Sequence, residues 1–358
     1  MTTRRIIDAD GHVLEPDDVW AKYLPAEHLA YAPRWGLDNE GRPRRIVGAQ
    51  MQPAFPFPRY DLEPVAGAAD PAARLRDMDA CGMETAYVYP SAGLHFAAVE
   101  RDVVVRLLCR AYNDWIRDFC SENPSRLRAA AVVPQVDPQA AVDEARRAVG
   151  ELGLAAVMLR PNPIRGRTLD DPSFDPLWRT LEELDVPLVL HEATTQNVTE
   201  AGRDRYTNYM FLHIITHPHE HQMAMLSLIC GRVLERFPGL RVAFVESGCG
   251  WVPYWLERME QHIDYWGHAS ARLELRPTEY FLRQCFVSPF ADERHLPQVI
   301  AALGDENLIY TSDYPYPYVG AEAITSALLD RTDLSERSLD RIAATNAMRL
   351  YGTRAARS

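Results

Sequence analysis

Chemically capable side chains stand where eight short apolar runs of this sequence end. Asp10 and His12 follow the first run, Arg160 and Asn162 follow the fourth, and His191 closes the fifth. Glu246, Ser288 and Asp313 close the sixth, seventh and eighth. Five of these eight positions are Asp, Glu or His. Imidazole and carboxylate are the usual ligands of a borderline divalent cation, and three or four of them with one coordination position left open make a catalytic centre. A lone histidine is more often a hydrogen-bonded structural residue. Convergence of such residues from equivalent positions of several strands is much harder to reach by accident. Arg160 and Asn162, in Leu159-Arg160-Pro161-Asn162-Pro163, suit a substrate carboxylate, because guanidinium binds carboxylate bidentately. An arginine bridging strands is the structural alternative. Ser288 is a further candidate for substrate contact.

Such residues meet only if the elements carrying them converge. The runs are Arg5–Ala9, Ala86–Tyr89, Ala129–Pro134, Ala155–Arg160, Pro187–His191, Arg241–Glu246, Gln284–Ser288 and Leu308–Asp313. Each is too short for an ordinary helix, and several are rich in valine or isoleucine, as strands buried on both faces are. Amphipathic patterns alternate with them: Pro71–Cys81, Arg101–Glu122, Gln139–Leu152, Phe174–Leu184, Pro218–Phe237, Val252–Trp266, Asp292–Leu303 and Glu322–Asp330. A last helix, Ser335–Tyr351, has cap candidates in Ser335 and Ser338 and a stop at Gly352. Eight alternations predict an α/β fold, a (β/α)8 TIM-like barrel whose strand ends converge on one face. A doubly wound open sheet is the rival. It would show a glycine-rich phosphate turn after the first strand, and Asp8-Ala9-Asp10-Gly11-His12 is not one.

The 358 residues are read as a single barrel with one interruption. Between residues 20 and 70 the chain carries seven prolines and many polar residues. Inserted after the first strand, this segment predicts a lid over the barrel mouth, with Trp35, Phe55, Phe57 and Tyr60 as its aromatic side chains. A loose surface insertion is the alternative.

Composition narrows the function. A hydrophobic share of 47% with 25% charged residues supports a large core and excludes a disordered chain. The net charge is −12, from 38 basic and 50 acidic residues, and no basic stripe suits nucleic acid. No apolar run approaches the roughly 18 residues of a membrane span, and the first ten residues lack a signal-peptide core. Six cysteines without a C-x-x-C pair read as reduced, buried thiols of a cytoplasmic protein.

Four histidines, His213, His217, His219 and His221, cluster after the fifth run. The string His217-Pro218-His219-Glu220-His221 formally matches the H-x-x-E-H metal motif. Pro218, however, suits a first helical position and steers the residue before it away from helical geometry. His217 is therefore expected as a cap that cannot share a helix face with His221. From the helix entrance it could act as an acid or base, and mere capping is the alternative.

Ile7-Asp8-Ala9-Asp10-Gly11-His12-Val13-Leu14-Glu15-Pro16, Leu190-His191-Glu192, Glu235-Arg236-Phe237-Pro238-Gly239-Leu240 with Glu246-Ser247-Gly248-Cys249-Gly250-Trp251, Tyr310-Thr311-Ser312-Asp313-Tyr314-Pro315 and Asn346-Ala347-Met348-Arg349-Leu350-Tyr351-Gly352 together resemble the amidohydrolase superfamily. The branch they resemble is the decarboxylase-type one, typified by aminocarboxymuconate-semialdehyde decarboxylase. The resemblance runs from about residue 5 to 352, apart from the insertion. It implies a distorted barrel holding one divalent metal ion, zinc first, with manganese or iron as alternatives. The implied ligands are Asp10, His12, His191 and Asp313, the last also able to handle protons. Glu15 is expected to hydrogen-bond the first-strand ligands, and Arg258 lies where relatives use an arginine on substrate, sometimes from a neighbouring subunit.

Two departures stand out. The chain's single lysine, Lys22, lies in the insertion, which excludes a centre bridged by a carboxylated lysine at the fourth strand. Glu246 occupies the sixth-strand position where this branch usually carries a histidine acid/base. A glutamate does that work if burial raises its pKa, or else it binds the metal. The implied reaction is non-oxidative decarboxylation of a small carboxylated aromatic or unsaturated molecule by a homodimer, without nucleic-acid or membrane partners. Hydrolysis by a metal-activated water is the rival, and a metal-free, non-catalytic barrel the third reading.

Overall fold

The computed structural model describes residues 4–53, 65–267, 272–316 and 321–352. Seven parallel strands follow one another round a single sheet: Ile7–His12, Thr85–Tyr89, Leu127–Val132, Ala156–Leu159, Leu188–Leu190, Val242–Phe244 and Cys285–Val287. The eighth run forms no regular strand, yet it closes the ring. Leu308 bridges Val287, and the Ile309 N–H donates to the Val287 carbonyl at 3.1 Å. On its other side the Ala9 N–H donates to Tyr310 at 2.9 Å, and the Asp313 N–H to Asp10 at 3.0 Å. Every residue of Leu127–Val132 and of Ala156–Leu159 is buried, which is why these runs show no polar alternation.

The helices begin where local chemistry dictates. Asp70 and Asp137 each accept a backbone N–H three residues on, from Ala73 and Ala140, with a proline at the first helical position. Ser335 caps the last helical segment by accepting from the Ser338 N–H at 3.1 Å, so Ser338 is the capped residue and not a cap. A helix at Pro277–Gln284 was not anticipated; it packs against Val252–Trp266.

One expectation is overturned. The helix after the fifth strand starts at Tyr209, not at Pro218, and runs to Cys230 with Asn208 as its cap. Pro218 lies inside it. The ring removes one donor, and the carbonyl that loses its partner belongs to Ile214, a residue 62% exposed. Burial of Leu212, Ala224, Met225, Leu228 and Ile229 along the 22-residue helix outweighs that loss. His217 is consequently not a cap, and His213, His217 and His221 lie on one helix face.

The insertion has structure of its own. It contains the short helix Trp20–Tyr23 and a three-stranded antiparallel sheet, Arg34–Leu37, Pro43–Val47 and Gln50–Met51. Phe55, Phe57 and Tyr60 lie outside the described residues. All six cysteines are unpaired, five of them buried and Cys230 half-buried. Among the described residues no helix is long and apolar enough to cross a membrane.

Candidate active site

The first strand delivers two ligand types to the barrel mouth. Gly11, between them, is required by close approach: a Cβ there would strike the Arg74 guanidinium and lie 2.6 Å from Asp8 Oδ2. Asp8 ties this strand to the eighth segment by accepting from the Ser312 N–H at 2.8 Å and its hydroxyl at 2.6 Å. His12 lies with Nδ1 2.9 Å from the Pro90 carbonyl, and His191 with Nδ1 2.7 Å from the Glu192 carbonyl. A carbonyl can only accept, so each Nδ1 carries the proton and each Nε2 presents a lone pair. Those two Nε2 atoms face each other at 3.1 Å. Two lone pairs at that distance need a cation between them.

Carboxylates complete the cluster. Asp10 Oδ2 lies 3.5 Å from His191 Nε2, and Asp313 Oδ1 lies 3.6 Å from His12 Nε2. Asp10 is 1% exposed and neither of its oxygens has a hydrogen-bond partner. An orphaned buried carboxylate is costly unless a cation meets it. Burial, then the nearby Glu246 charge, pushes the Asp10 and Asp313 carboxyls well above the usual range. Burial also pushes His191 down to about 3 and lowers His12, keeping both imidazoles neutral as metal ligation requires. Glu246 and Asp313 both hold left-handed backbone, φ 58° and 52°, at about 1–2 kcal/mol each.

A second chain of groups leads inward from Glu246. Its Oε2 is 3.3 Å from His191 Nε2, and its Oε1 is 3.5 Å from His217 Nε2. His217 Nδ1 lies 3.2 Å from Glu192 Oε2, and Glu192 Oε1 accepts from Arg160 Nη2 at 3.0 Å. Burial alone would lower the His217 pKa, but Glu246 and Glu192 outweigh it and raise it to about 9. Burial would likewise raise Glu246, yet the charged His217 imidazole beside it holds it below the usual carboxylate range. Glu246 is therefore an ionised partner of a charged histidine, and not the high-pKa acid that burial alone would make.

The cavity over this cluster measures about 490 Å³ and is lined by Asp10, His12, His191, His217, Glu246 and Asp313 together with His213 and Tyr209. Trp35, Arg44, Arg45 and Gln52 of the insertion line it too.

Five expected site residues have other duties or lie outside the cavity. Arg160 is 2% exposed and its guanidinium is spent on Glu192, Asn162 Oδ1 and the carbonyls of Leu94 and Ala193. Asn162 is fully buried, between Arg160 and the Thr199 carbonyl. Both hold loops and neither lines the cavity. Ser288 accepts the Glu246 N–H at 3.1 Å, holding that residue's backbone. Arg258 is exposed on the helix Val252–Trp266, outside the cavity of its own chain. Glu15 does not touch the first-strand ligands: it accepts from the Ala92 and Gly93 N–H groups, fixing the loop whose Pro90 carbonyl orients His12.

Glu192 and Arg45 were not anticipated. Glu192 follows a ligand directly, and that adjacency was the available signal. Arg45 lies beyond the reach of a sequence pattern, because antiparallel pairing in the insertion is what brings it to the cavity. Its guanidinium stacks on Trp35 at 4.3 Å, and Nη1 is buried with no hydrogen-bond partner.

A closed parallel barrel with imidazole and carboxylate converging at its mouth defines a metal-dependent (β/α)8 protein. The sequence matches the amidohydrolase family over residues 7–353. The chain belongs to that family. It is 28% identical over 247 residues to 2-amino-3-carboxymuconate-6-semialdehyde decarboxylase of Dictyostelium discoideum, 68% of this chain and 66% of that protein. It is 28% identical over 292 residues to gamma-resorcylate decarboxylase of Rhodococcus jostii, 78% of this chain and 86% of that protein. An amidohydrolase of Mycobacterium avium subsp. paratuberculosis superposes with a TM-score of 0.83 at 22% identity, over 99% of each chain. The 5-carboxyvanillate decarboxylase of Novosphingobium aromaticivorans, solved with manganese and 4-hydroxy-3-methoxy-5-nitrobenzoic acid, superposes with a TM-score of 0.71 at 22% identity, over 97% of this chain and 96% of that one.

Proposed function

We propose that this chain is a metal-dependent, non-oxidative decarboxylase of a small aromatic or unsaturated carboxylate. The observation that carries the reading is the pair of facing Nε2 atoms, 3.1 Å apart, beside the orphaned carboxylate of Asp10. Asp10, His12, His191 and Asp313 would hold one divalent cation. Two imidazoles and two carboxylates suit zinc, and manganese stands beside it because the carboxyvanillate enzyme binds that ion. When bound, the ion supplies the positive charge that anchors a carboxylate and an adjacent oxygen.

The chain's own residues account for the rest. Arg45, whose Nη1 makes no hydrogen bond and lies 3.9 Å from Asp17 Oδ1, offers its guanidinium to the substrate, while Trp35 and Phe290 provide apolar wall for a flat ring. His217 carries the proton delivered to the carbon that loses CO2. Glu192 orients its ring and Glu246 keeps it charged. The described part of the insertion acts as the lid that brings Arg45 into place. The exposed Met210, Phe211, Ile214 and Leu226 on one helix, with Tyr254, Tyr265 and Trp266 on its neighbour, support a homodimer. Six unpaired thiols support a cytoplasmic setting.

The reading is tested by offering hydroxylated benzoates to the metal-loaded protein. CO2 release without incorporation of labelled water oxygen, abolished by chelation, is the expected result. Label entering the product would establish hydrolysis in its place. Arg45→Ala should raise KM roughly tenfold to a hundredfold, the worth of one or two charge-assisted hydrogen bonds, with kcat changed far less. An unchanged KM would remove Arg45 from substrate recognition.

A further inference from the structure

Glu246 faces two ways, and only one of its faces belongs to the cluster of Asp10, His12 and His191. The other meets a pair of histidines four residues apart on one helix. His213 and His217 share a face of Tyr209–Cys230, their rings stacked with centroids 3.9 Å apart and planes inclined by 16°. One ligand atom from each of His213, His217 and Glu246 lies within 4.8 Å of the others.

We propose that His213, His217 and Glu246 form a second divalent-cation site beside the first, with the Glu246 carboxylate lying between the two. Three features of the geometry carry it. Two imidazoles spaced i, i+4 on one rigid helix can chelate one ion once a side-chain rotation turns the stacked rings so that their in-plane lone pairs converge. The two carboxylate oxygens of Glu246 point apart, Oε2 toward His191 and Oε1 toward His217. His217 is oriented as ligating histidines are, its Nδ1 3.2 Å from Glu192 and its Nε2 aimed at the site. Two nitrogens and one oxygen favour zinc, nickel or copper over magnesium or calcium. His213 is half-buried and lines the cavity, which leaves a path for exchange. With three protein ligands, and a proton to displace from His217 before its Nε2 can bind, this site is the weaker of the two.

Its occupation has a functional consequence that rests on the decarboxylase reading. A cation on His217 Nε2 takes the nitrogen from which the proton is delivered, so excess metal inhibits. Equilibrium dialysis of the whole protein against Zn2+, followed by elemental analysis, should give two ions per chain at saturation. His213→Ala, or His213→Asn should the alanine variant not fold, should retain one. One ion per chain in the natural protein, or two in a folded His213 variant, overturns the site. Zinc beyond the first equivalent should suppress turnover, and the His213 variant should need at least tenfold more for half-inhibition. Two ions with undiminished turnover would keep the second site and overturn the role given to His217. A chain that binds two ions yet releases no CO2 from any carboxylate would likewise separate the two readings.

Discussion

His191→Ala is expected to leave a folded barrel that binds one ion fewer per chain than the natural protein and turns over at least about a thousandfold more slowly. The imidazole contributes the lone pair facing His12 and lies within 3.5 Å of both Asp10 and Glu246. Its removal leaves two carboxylates and one histidine around a void, a set that has lost one of its two nitrogen donors to a borderline cation. The side chain is small and its one backbone bond, to the Glu192 carbonyl, is local, so the barrel itself loses little. Elemental analysis beside circular dichroism checks both halves. Full metal occupancy in the variant would remove His191 from the ligand set.

Arg160→Met is expected to cost about 3–5 kcal/mol of stability, the usual result of removing one partner of a buried ion pair. Glu192 and Glu200 have side chains at 0% exposure, and Arg160 Nη2 stands 3.0 and 3.7 Å from them. Without the guanidinium Glu192 and the carbonyls of Leu94 and Ala193 lose a donor at once, and Glu200 loses the positive charge beside it. Urea denaturation of the two proteins at one pH is the measurement. A loss below about 1 kcal/mol would show that water or a rearranged side chain replaces the arginine.

The strand ends were legible because their chemistry is local. A buried parallel strand shows as an unbroken apolar run, and the residue that closes it stands at the mouth end whatever the rest of the chain does. Asp10, His12, His191, Glu246 and Asp313 were all found by that route, and all five line the cavity. What could not be read was direction away from the strand axis. Arg160 and Ser288 end their strands too, but their side chains turn to neighbouring loops and backbone. Pro218 misled for a different reason. Its local preference for a helix start was outweighed by tertiary packing along Tyr209–Cys230, and that result moved His217 from a cap to mid-helix. Arg45 depended on hairpin register in the insertion, which no periodicity announces.

Gly11 constrains how this centre could change. The position between the two first-strand ligands admits hydrogen alone, since any carbon there runs into Arg74 and Asp8. The offset between Asp10 and His12 is thus frozen by crowding, and Arg74, which donates to the His12 carbonyl at 2.9 Å, holds the frame shut. A lineage seeking a larger or smaller ion would have to adjust the neighbouring eighth segment, where Asp313 ends an irregular stretch that is not a regular strand.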